Sequence, residues 1–363
     1  MKTLIAAAAM AALSFCGIAN AQEYSLRFST SQVNPNEPII KAMKTYAERV
    51  GERSGGRIAI TVMTGDQLGA QKKVNEMVMS GASLLSATDY GQLGQFVPDL
   101  SILAGPYVYP DLAATDRLFA SDLYKDLSGK LEARGIKIIM PNGLFGYRHI
   151  IANKPVRSPA DLAGVTIRVP SSPIMMATFG NYGARPTELP WGDVYNALQT
   201  GVVDAAEGPF GSIAGAKLNE TRKVISKTGH QIMFTAWVAS SQFFNSLPED
   251  LQTILLEEGQ TIAKELTQMT LETDDAYAKQ LAASGVEIVT DVDIPSFIEA
   301  SRAAYEKVPN ITPPASMIRC RRRWQSRRRR FRRVRAGCGR KTAYTFLHPA
   351  LGRSCRGAAS SPA

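Results

Sequence analysis

Two arginines, Arg148 and Arg168, are the residues of this sequence best suited to binding an anion. Both lie near apolar, β-branched runs within GYRHIIANKPVRSPADLAGVTIRVP, and Arg168 stands near the end of VTIRVP. The fork of an arginine can meet a carboxylate through two parallel hydrogen bonds, which supply direction as well as charge. Ligands of open α/β sheets bind beyond the carboxyl ends of the strands. Arg168 is therefore a candidate ligand for a carboxylate, and the alternative, that both arginines are solvated or ion-paired surface charges, stays open on these residues alone.

Groups that could perform catalysis are sparse. His149 and His230 lie outside any HExxH, GxSxG or metal-spaced cluster, and a phosphate-binding GxxxxGK[ST] motif is absent. His149 stands inside an apolar run, where a histidine with a structural role is expected. The sequence therefore predicts a binding protein rather than an enzyme, with no catalytic set, metal site or cofactor.

The N-terminus has the pattern of a cleaved secretory signal, residues 1–21. Lys2 provides the positive charge, an apolar run extends from Leu4 to Ile18, and Ala19-Asn20-Ala21 is a small-x-small cleavage site. The apolar run is short for a membrane span, and a polar chain comes directly after it. We expect the mature protein in the periplasm.

The basic character of the chain belongs to its C-terminal end. Residues 313–363 carry 15 of the 42 Lys and Arg residues and no Asp or Glu, which leaves 27 basic and 32 acidic residues in the rest. The net charge of that rest is −5. The four cysteines follow the same division, because Cys16 lies in the signal and Cys320, Cys338 and Cys355 lie in the tail. The body of the protein therefore needs no disulfide.

The tail, residues 313–363, contains the run RCRRRWQSRRRRFRRVRAGCGRK and has no apolar period of a strand or helix. Its Arg, Ala, Gly, Pro, Ser and Cys content is typical of a shifted reading frame of GC-rich DNA, and the change after YEKVPNITP is abrupt. We interpret residues 313–363 as a frameshifted or disordered tail. The alternative is a polybasic segment that binds nucleic acid or anionic lipid.

The body alternates strand and helix patterns. YSLRFST and RIAITVMTG read as strands, each followed by a helix pattern, which predicts an α/β lobe with a largely parallel sheet. GIKIIMPNG, YRHIIANK and VTIRVPS are further strand candidates, and TAWVASSQFFNSL reads as a strand before a loop. A long helical region begins after Pro248, and the strand GVEIVTDVD and a last helix come after it. Because the sequence shows no internal repeat and no long linker, we expect two lobes that share crossing segments rather than two domains in tandem.

Several long motifs resemble the solute-binding proteins of tripartite ATP-independent periplasmic (TRAP) transporters, of the dicarboxylate-binding type. They are DLAGVTIRVPSS, ELPWGDVYNALQTGVVDAAEGP, GDQLGAQKKVNEM, LAGPYVY and SSQFFNSLPEDLQ. The resemblance extends from about residue 24 to residue 310. It implies an α/β, periplasmic-binding-protein-like fold: two α/β lobes around a central cleft, with crossing strands and a long connecting helix.

The resemblance also implies a set of ligand-binding residues. The arginine that pairs with the ligand carboxylate falls on Arg168, and a second arginine on the hinge-side strand falls on Arg148. The aromatic residue that packs on the ligand falls on Trp191. Tyr195, one turn later, is expected either in the site or in the core. Asp89 matches a polar position that often contacts ligand.

One departure from the family pattern concerns the strand end at Glu207-Gly208-Pro209, where many relatives have Glu-Asn-Pro. Gly208 lacks the side-chain amide that an asparagine would donate to the ligand. Glu207, Phe210, water or a bulkier ligand would take the place of that amide. We also expect the cleft to be more spacious at Gly208. Thr30, at the end of the first strand, is a further expected contact.

The resemblance divides the chain into lobes that share segments. The expected parts are the signal 1–21, lobe I from 22–146 plus about 234–275, lobe II from 147–233 plus about 276–312, and the tail 313–363. The implied function is a monomeric periplasmic receptor that delivers an organic acid to the small and large membrane subunits of an ion-driven transporter. The alternatives are an ABC-type binding protein for an amino acid or organic acid, a secreted enzyme and a tail-driven polyanion binder.

Overall fold

The structure is a computed structural model that describes residues 22–308. These residues fall within one compact unit. The predicted signal, residues 1–21, and the basic tail, residues 313–363, lie outside the described residues. Within the described range, no helix has the length and apolar character that crossing a membrane requires.

Nine strands are present in residues 22–308. They are β1 (Tyr24–Ser29), β2 (Ile58–Met63), β3 (Leu84–Asp89), β4 (Ile136–Ala152), β5 (Thr166–Val169), β6 (Arg185–Glu188), β7 (Ala206–Gly208), β8 (Val224–Ser240) and β9 (Glu287–Val289). The main sheet has the order β2-β1-β3-β8-β4-β7, and β9 pairs with β8. β5 and β6 form a separate parallel pair.

The α-helices cover both faces of this arrangement in the usual α/β manner. They are α1 (Pro38–Arg53), α2 (Gln71–Met79), α3 (Tyr90–Leu93), α4 (Leu112–Phe119), α5 (Asp122–Glu132), α6 (Pro173–Asn181), α7 (Val194–Gln199), α8 (Phe210–Gly215), α9 (Ser241–Ser246), α10 (Glu249–Ala283) and α11 (Ile294–Glu306). Short 3₁₀ turns occur at Pro98–Ala104, Pro159–Leu162, Trp191–Asp193 and Leu218–Glu220.

The α/β class predicted from the sequence is confirmed, with both pairing directions in the main sheet. β1 runs parallel to β2 and to β3, as the opening strand–helix alternation predicts. β8 runs antiparallel to β3 and to β4. The two long strands β4 and β8 have 17 residues each, so each connects regions at opposite ends of the molecule.

Two apolar cores lie along this frame, and the long helix α10 contributes to both. The first core contains Trp237 together with Leu255 and Leu266 of α10. The second contains Phe210, and Leu281 near the end of α10 packs there. A helix that serves two separate cores is the connecting helix expected for a two-lobe binding fold, and the fold class is confirmed in this respect.

Close packing of α10 against β4 leaves no room for a side chain at Gly259. A Cβ at Gly259 would lie 2.5 Å from the carbonyl oxygen of Ile139, a backbone atom that cannot swing aside. We expect Gly259→Ala to lower the free energy of unfolding by about 1–3 kcal/mol, as overpacking does. The matched control is Gly129→Ala on α5, where the new methyl has nothing within 4 Å. Because alanine has a higher helix propensity than glycine, this change should raise the free energy of unfolding by up to about 1 kcal/mol. Urea unfolding measures both, and equal stability of the two variants would refute the packing argument.

Candidate functional site

Arg168 is held at the end of β5 by backbone bonds on both sides. β5 pairs with β6 from Thr166 to Val169, and on its other side the Arg168 amide donates to the Ala205 carbonyl at 2.9 Å. The Arg168 side chain is 3 % exposed, and its Nε donates to the Leu189 carbonyl at 2.9 Å. Backbone and side chain are therefore fixed before any ligand arrives.

The guanidinium of Arg168 has no carboxylate partner among the described residues. Its carbon lies 5.2 Å from the centre of the Trp191 ring, which covers one face of the charge. Burial lowers the pKa of Arg168 to about 10, although Glu207 raises it in part. The group is therefore cationic at neutral pH, and a buried cation that lacks a counter-ion is suited to binding an anion.

A cavity of about 280 Å³ adjoins Arg168. One wall is formed by the ends of β5 and β6 and the turn after β6, and the opposite wall by segments after β1, β2 and β3. The lining residues are Ser31, Ala70, Gln71, Lys72, Lys73, Glu76, Gln92, Arg168, Pro170, Ser171, Glu188, Leu189, Pro190 and Trp191. The cavity thus lies at the carboxyl ends of parallel strands, where α/β proteins bind their ligands.

Arg148 lies on the long strand β4, as the prediction of a strand position requires, but its guanidinium is ion-paired within the protein. Its Nε and Nη2 donate to the two carboxylate oxygens of Glu207, and its Nη1 donates to the Met233 sulfur at 2.8 Å. Arg148 is 5 % exposed and Glu207 is fully buried, and the described cavity wall includes neither. In this structure Arg148 and Glu207 form a fork-to-carboxylate ion pair with each other, and the charges of both act on Arg168.

His230 completes this buried ion pair. Its Nε2 lies 3.2 Å from a carboxylate oxygen of Glu207, and its Nδ1 lies 2.8 Å from the Thr228 hydroxyl. Burial raises the pKa of Glu207, but Arg148 and His230 outweigh this effect and hold it at about 2. Burial lowers the pKa of His230, so it is neutral at pH 7. The carboxylate is therefore charged under all ordinary conditions and neutralises Arg148.

His149 has the structural role that the sequence predicts. Its Nδ1 accepts a hydrogen bond from the Gly229 amide at 3.1 Å, and its ring packs against Phe210 at 4.5 Å. Burial lowers the pKa of His149 well below its usual value. No group of three or more His, Cys, Asp and Glu residues that could hold a metal occurs in residues 22–308.

Three other predicted contacts lie outside the described cavity wall. Asp89 accepts from the amides of Gly91 at 2.8 Å and Gln92 at 3.2 Å, which caps the short helix α3. Thr30 is buried and accepts from the Gln32 amide at 3.3 Å. The hydroxyl of Tyr195 donates to Glu220 at 2.9 Å, on the outer side of the second core. All three have local structural roles in this structure.

Gly208 lies against Trp191 rather than beside open space. A Cβ at Gly208 would be 3.4 Å from Cη2 and 3.7 Å from Cζ3 of the Trp191 ring. The more spacious cleft expected at Gly208 is therefore wrong: the indole fills the volume that a larger side chain would occupy. Trp191 Nε1 is buried and has no partner among the described residues.

Sequence reasoning missed the wall opposite Arg168. Gln71, Lys72 and Lys73 begin helix α2, and Gln92 lies on α3, where its Nε2 donates to Asp89 at 2.9 Å. The motif GDQLGAQKKVNEM contains the first three of these residues. Its position at the carboxyl end of a predicted parallel strand was the signal that could have identified them.

Comparison with known proteins identifies the family of the chain. The profile of the bacterial extracellular solute-binding protein family 7 matches residues 28–310. The C4-dicarboxylate-binding periplasmic protein of Vibrio cholerae is 30% identical over 274 residues, which are 74% of this chain and 80% of that protein.

Two solved structures share the fold and differ in their bound state. A TRAP periplasmic solute-binding protein from Ochrobacterium anthropi with bound L-fuconate is 33% identical, with a TM-score of 0.77 over 80% of this chain and 96% of that one. A TRAP protein from Escherichia fergusonii in an apo open structure is 32% identical, with a TM-score of 0.68 over 78% of this chain and 95% of that one.

Proposed function

The chain belongs to the bacterial extracellular solute-binding protein family 7, and from this membership we propose that it is a periplasmic receptor that binds an organic acid through Arg168. The observation that carries the proposal is a buried arginine without a counter-ion on the wall of a 280 Å³ cavity. The ligand carboxylate would take the free N–H groups of Arg168, and Trp191 would pack on the ligand. We propose no catalytic reaction, because a receptor only binds its ligand and releases it.

The pairing of Arg148 with Glu207 supports a ligand with one carboxylate. Because Glu207 neutralises Arg148, Arg168 is the buried cation left for the ligand. The remaining lining mixes apolar residues with polar ones: the amides of Gln71 and Gln92 can bind hydroxyl groups, and the carboxylates of Glu76 and Glu188 disfavour further negative charge on the ligand. We propose a hydroxylated monocarboxylate, the class to which the L-fuconate bound by the relative from Ochrobacterium anthropi belongs.

A C4-dicarboxylate is the second candidate, and Lys72 and Lys73 favour it. Both lysines line the cavity and are exposed, so a second carboxylate could meet them at the rim, as the name of the Vibrio cholerae relative suggests. Solvent weakens such exposed charges, so the one buried arginine in the lining, Arg168, supports the monocarboxylate as the first candidate.

The transport role follows from the family and the fold. We propose export through the signal 1–21, closure of lobes I and II around the acid, and docking of the monomer on the small and large membrane subunits of a TRAP transporter. The proposed lobe boundaries fall inside β4, β8 and α10, the three elements that span the molecule. Membership of this family favours a TRAP partner over an ABC-type one.

A thermal-shift panel tests the proposed ligand class. The purified protein is heated with L-fuconate, L-galactonate, erythronate, succinate or malate, and with the alditol of fucose, which keeps the hydroxyls but lacks the carboxylate. A ligand at about 100 times its Kd stabilises by roughly 2.7 kcal/mol, which raises Tm by several degrees. We expect a shift with a hydroxy monocarboxylate and none with the alditol. A shift with the alditol would overturn carboxylate recognition, and a shift confined to succinate and malate would select the dicarboxylate.

The contact between Gly208 and Trp191 gives a further prediction. Gly208→Asn places side-chain atoms where the indole lies, so Trp191 should move off Arg168 and the affinity for the acid should fall about tenfold or more. The control is Gly208→Ala, whose methyl makes ordinary contact with the ring and should leave affinity within about threefold. Calorimetry measures both, and equal affinities would contradict the role given to Trp191.

A further inference from the structure

We propose that Asp66 is a positioning residue that holds the Trp191–Asp193 turn in place when the protein closes on its ligand. Asp66 belongs to the loop between β2 and α2, and the turn comes after β6. The two segments continue into opposite walls of the cavity, at Ala70 and at Trp191. This proposal rests on the proposed function, because it assigns a residue outside the cavity to retention of the acid.

The loop that carries Asp66 has an unusual backbone. Gly65 has a φ of +63° and Asp66 a φ of +59°, so two consecutive residues adopt the left-handed conformation. For a residue other than glycine this costs on the order of 1 kcal/mol. The Gly65 amide donates to the Gln32 carbonyl at 2.9 Å, and the Gly69 amide donates to the Asp66 carbonyl at 2.8 Å. These bonds fix the loop and aim the Asp66 side chain.

The Asp66 carboxylate rests on the backbone of Gly192. A Cβ at Gly192 would lie 2.9 Å from Asp66 Oδ2, which leaves no space for a side chain between them. Burial raises the pKa of Asp66, the Gly192 amide lowers it, Asp193 raises it and Arg168 lowers it. The carboxylate is therefore half-buried against the Gly192 backbone, where the charge of Arg168 favours its ionised form.

The contact between Asp66 and Gly192 couples closure of the protein to the position of Trp191 in the site. Gly192 comes directly after Trp191, whose ring lies over Arg168 at 5.2 Å and against Gly208. When the two walls separate, Asp66 must leave Gly192, and the turn loses a support. Asp66 should therefore slow the escape of a bound acid, with little effect on its entry, because entry takes place through the open form.

Stopped-flow and calorimetry on the purified protein test this role, with L-fuconate as the first probe and the rest of the acid panel after it. We expect Asp66→Ala to weaken binding about tenfold, mostly as faster dissociation. Asp66→Asn retains a side-chain oxygen that can accept from Gly192 and should stay within about threefold of wild type. The control, Asp116→Ala, removes an exposed carboxylate of α4 and should leave both rate constants unchanged.

The Tm of the unliganded variants separates positioning from a general structural role. Alanine suits the left-handed backbone at position 66 less well than aspartate does, so we expect the Tm of unliganded Asp66→Ala to fall by a few degrees at most, too little to explain a tenfold faster dissociation. The proposal would be overturned if Asp66→Ala released the acid with the same dissociation rate constant as the wild type. It would also be overturned if the variant lost enough unliganded stability to account for its whole loss of affinity. If the wild-type protein binds none of the acids, the proposed function fails, and this proposal fails with it.

Discussion

Replacing Arg168 by methionine should reduce the affinity for the organic acid by roughly 10²–10³-fold, the cost of leaving a buried charge without its partner. Methionine keeps the aliphatic bulk under Trp191 but removes the guanidinium, whose free N–H groups adjoin the cavity. Without them the ligand carboxylate would be desolvated and unpaired. Titration calorimetry with the acid selected by the panel measures the loss.

The stability of the same variant provides the control. Arg168 is 3 % exposed, and its charge lacks a carboxylate partner in residues 22–308, so burial of this charge is unfavourable in the unliganded protein. We expect the Tm of unliganded Arg168→Met to be unchanged or raised, because removal of the buried charge offsets the loss of the hydrogen bond to Leu189. Arg168→Lys keeps the charge but not the fork and should bind with intermediate affinity. Undiminished affinity of Arg168→Met would refute the carboxylate site.

The sequence predicts the α/β frame where an apolar pattern coincides with one element. The strands at Tyr24–Ser29 and Ile58–Met63 agree with their sequence patterns within about two residues. β3, Leu84–Asp89, escapes prediction because its Ser, Ala and Asp residues carry a weak strand signal, although all six residues are buried. Its central position is set by pairing with β1 and β8, which is tertiary information.

Two further errors have the same origin. The sequence predicts two strands in place of β4, but β4 is continuous from Ile136 to Ala152 because β8 pairs along it and register shifts absorb the irregular residues. The stretch TAWVASSQFFNSL, predicted as a strand before a loop, contains helix α9 at Ser241–Ser246, which is capped where the Ser240 hydroxyl accepts from the Phe243 amide at 3.3 Å. In both cases packing partners distant in sequence decide the local structure.

The sequence likewise predicts some features of the candidate site and not others. The position of Arg168 near the end of a strand was predictable, because it depends on one local apolar run, while its role in binding stays a prediction. The pairing of Arg148 with Glu207 was not predictable, since it depends on the register of β4 against β7, in which Ile150 lies opposite Glu207. That register brings Arg148 and Glu207 together as diagonal neighbours on one face. Sequence alone gives the two charges but not the pairing.

Breaking that ion pair should have the largest effect on stability. Glu207→Gln leaves Arg148 buried without its counter-ion and removes the charged acceptor of both guanidinium bonds. We expect the free energy of unfolding to fall by about 3–5 kcal/mol. Urea unfolding at pH 7 measures the change in the purified protein.

The double variant Arg148→Met, Glu207→Leu is the matched control for this loss. It replaces the pair by apolar groups of similar volume, which is often close to neutral. Its stability should therefore exceed that of Glu207→Gln, although it also removes the partner of His230. If the double variant were the least stable of the set, the loss in Glu207→Gln could not be attributed to an uncompensated charge.

The pH dependence of the difference between wild type and Glu207→Gln isolates the carboxylate. The pKa of Glu207 is held at about 2 in the folded protein, against 4.5 for an ordinary glutamate. Because the folded value is the lower one, its stabilisation is complete above pH 4.5 and is lost as the pH falls towards 2, by roughly 3 kcal/mol in total. Glu37, whose pKa burial raises to about 8, acts in the opposite sense but is common to both proteins and cancels in the difference. A difference that stays constant from pH 6 to pH 3 would show that Glu207 is not the charged partner of Arg148.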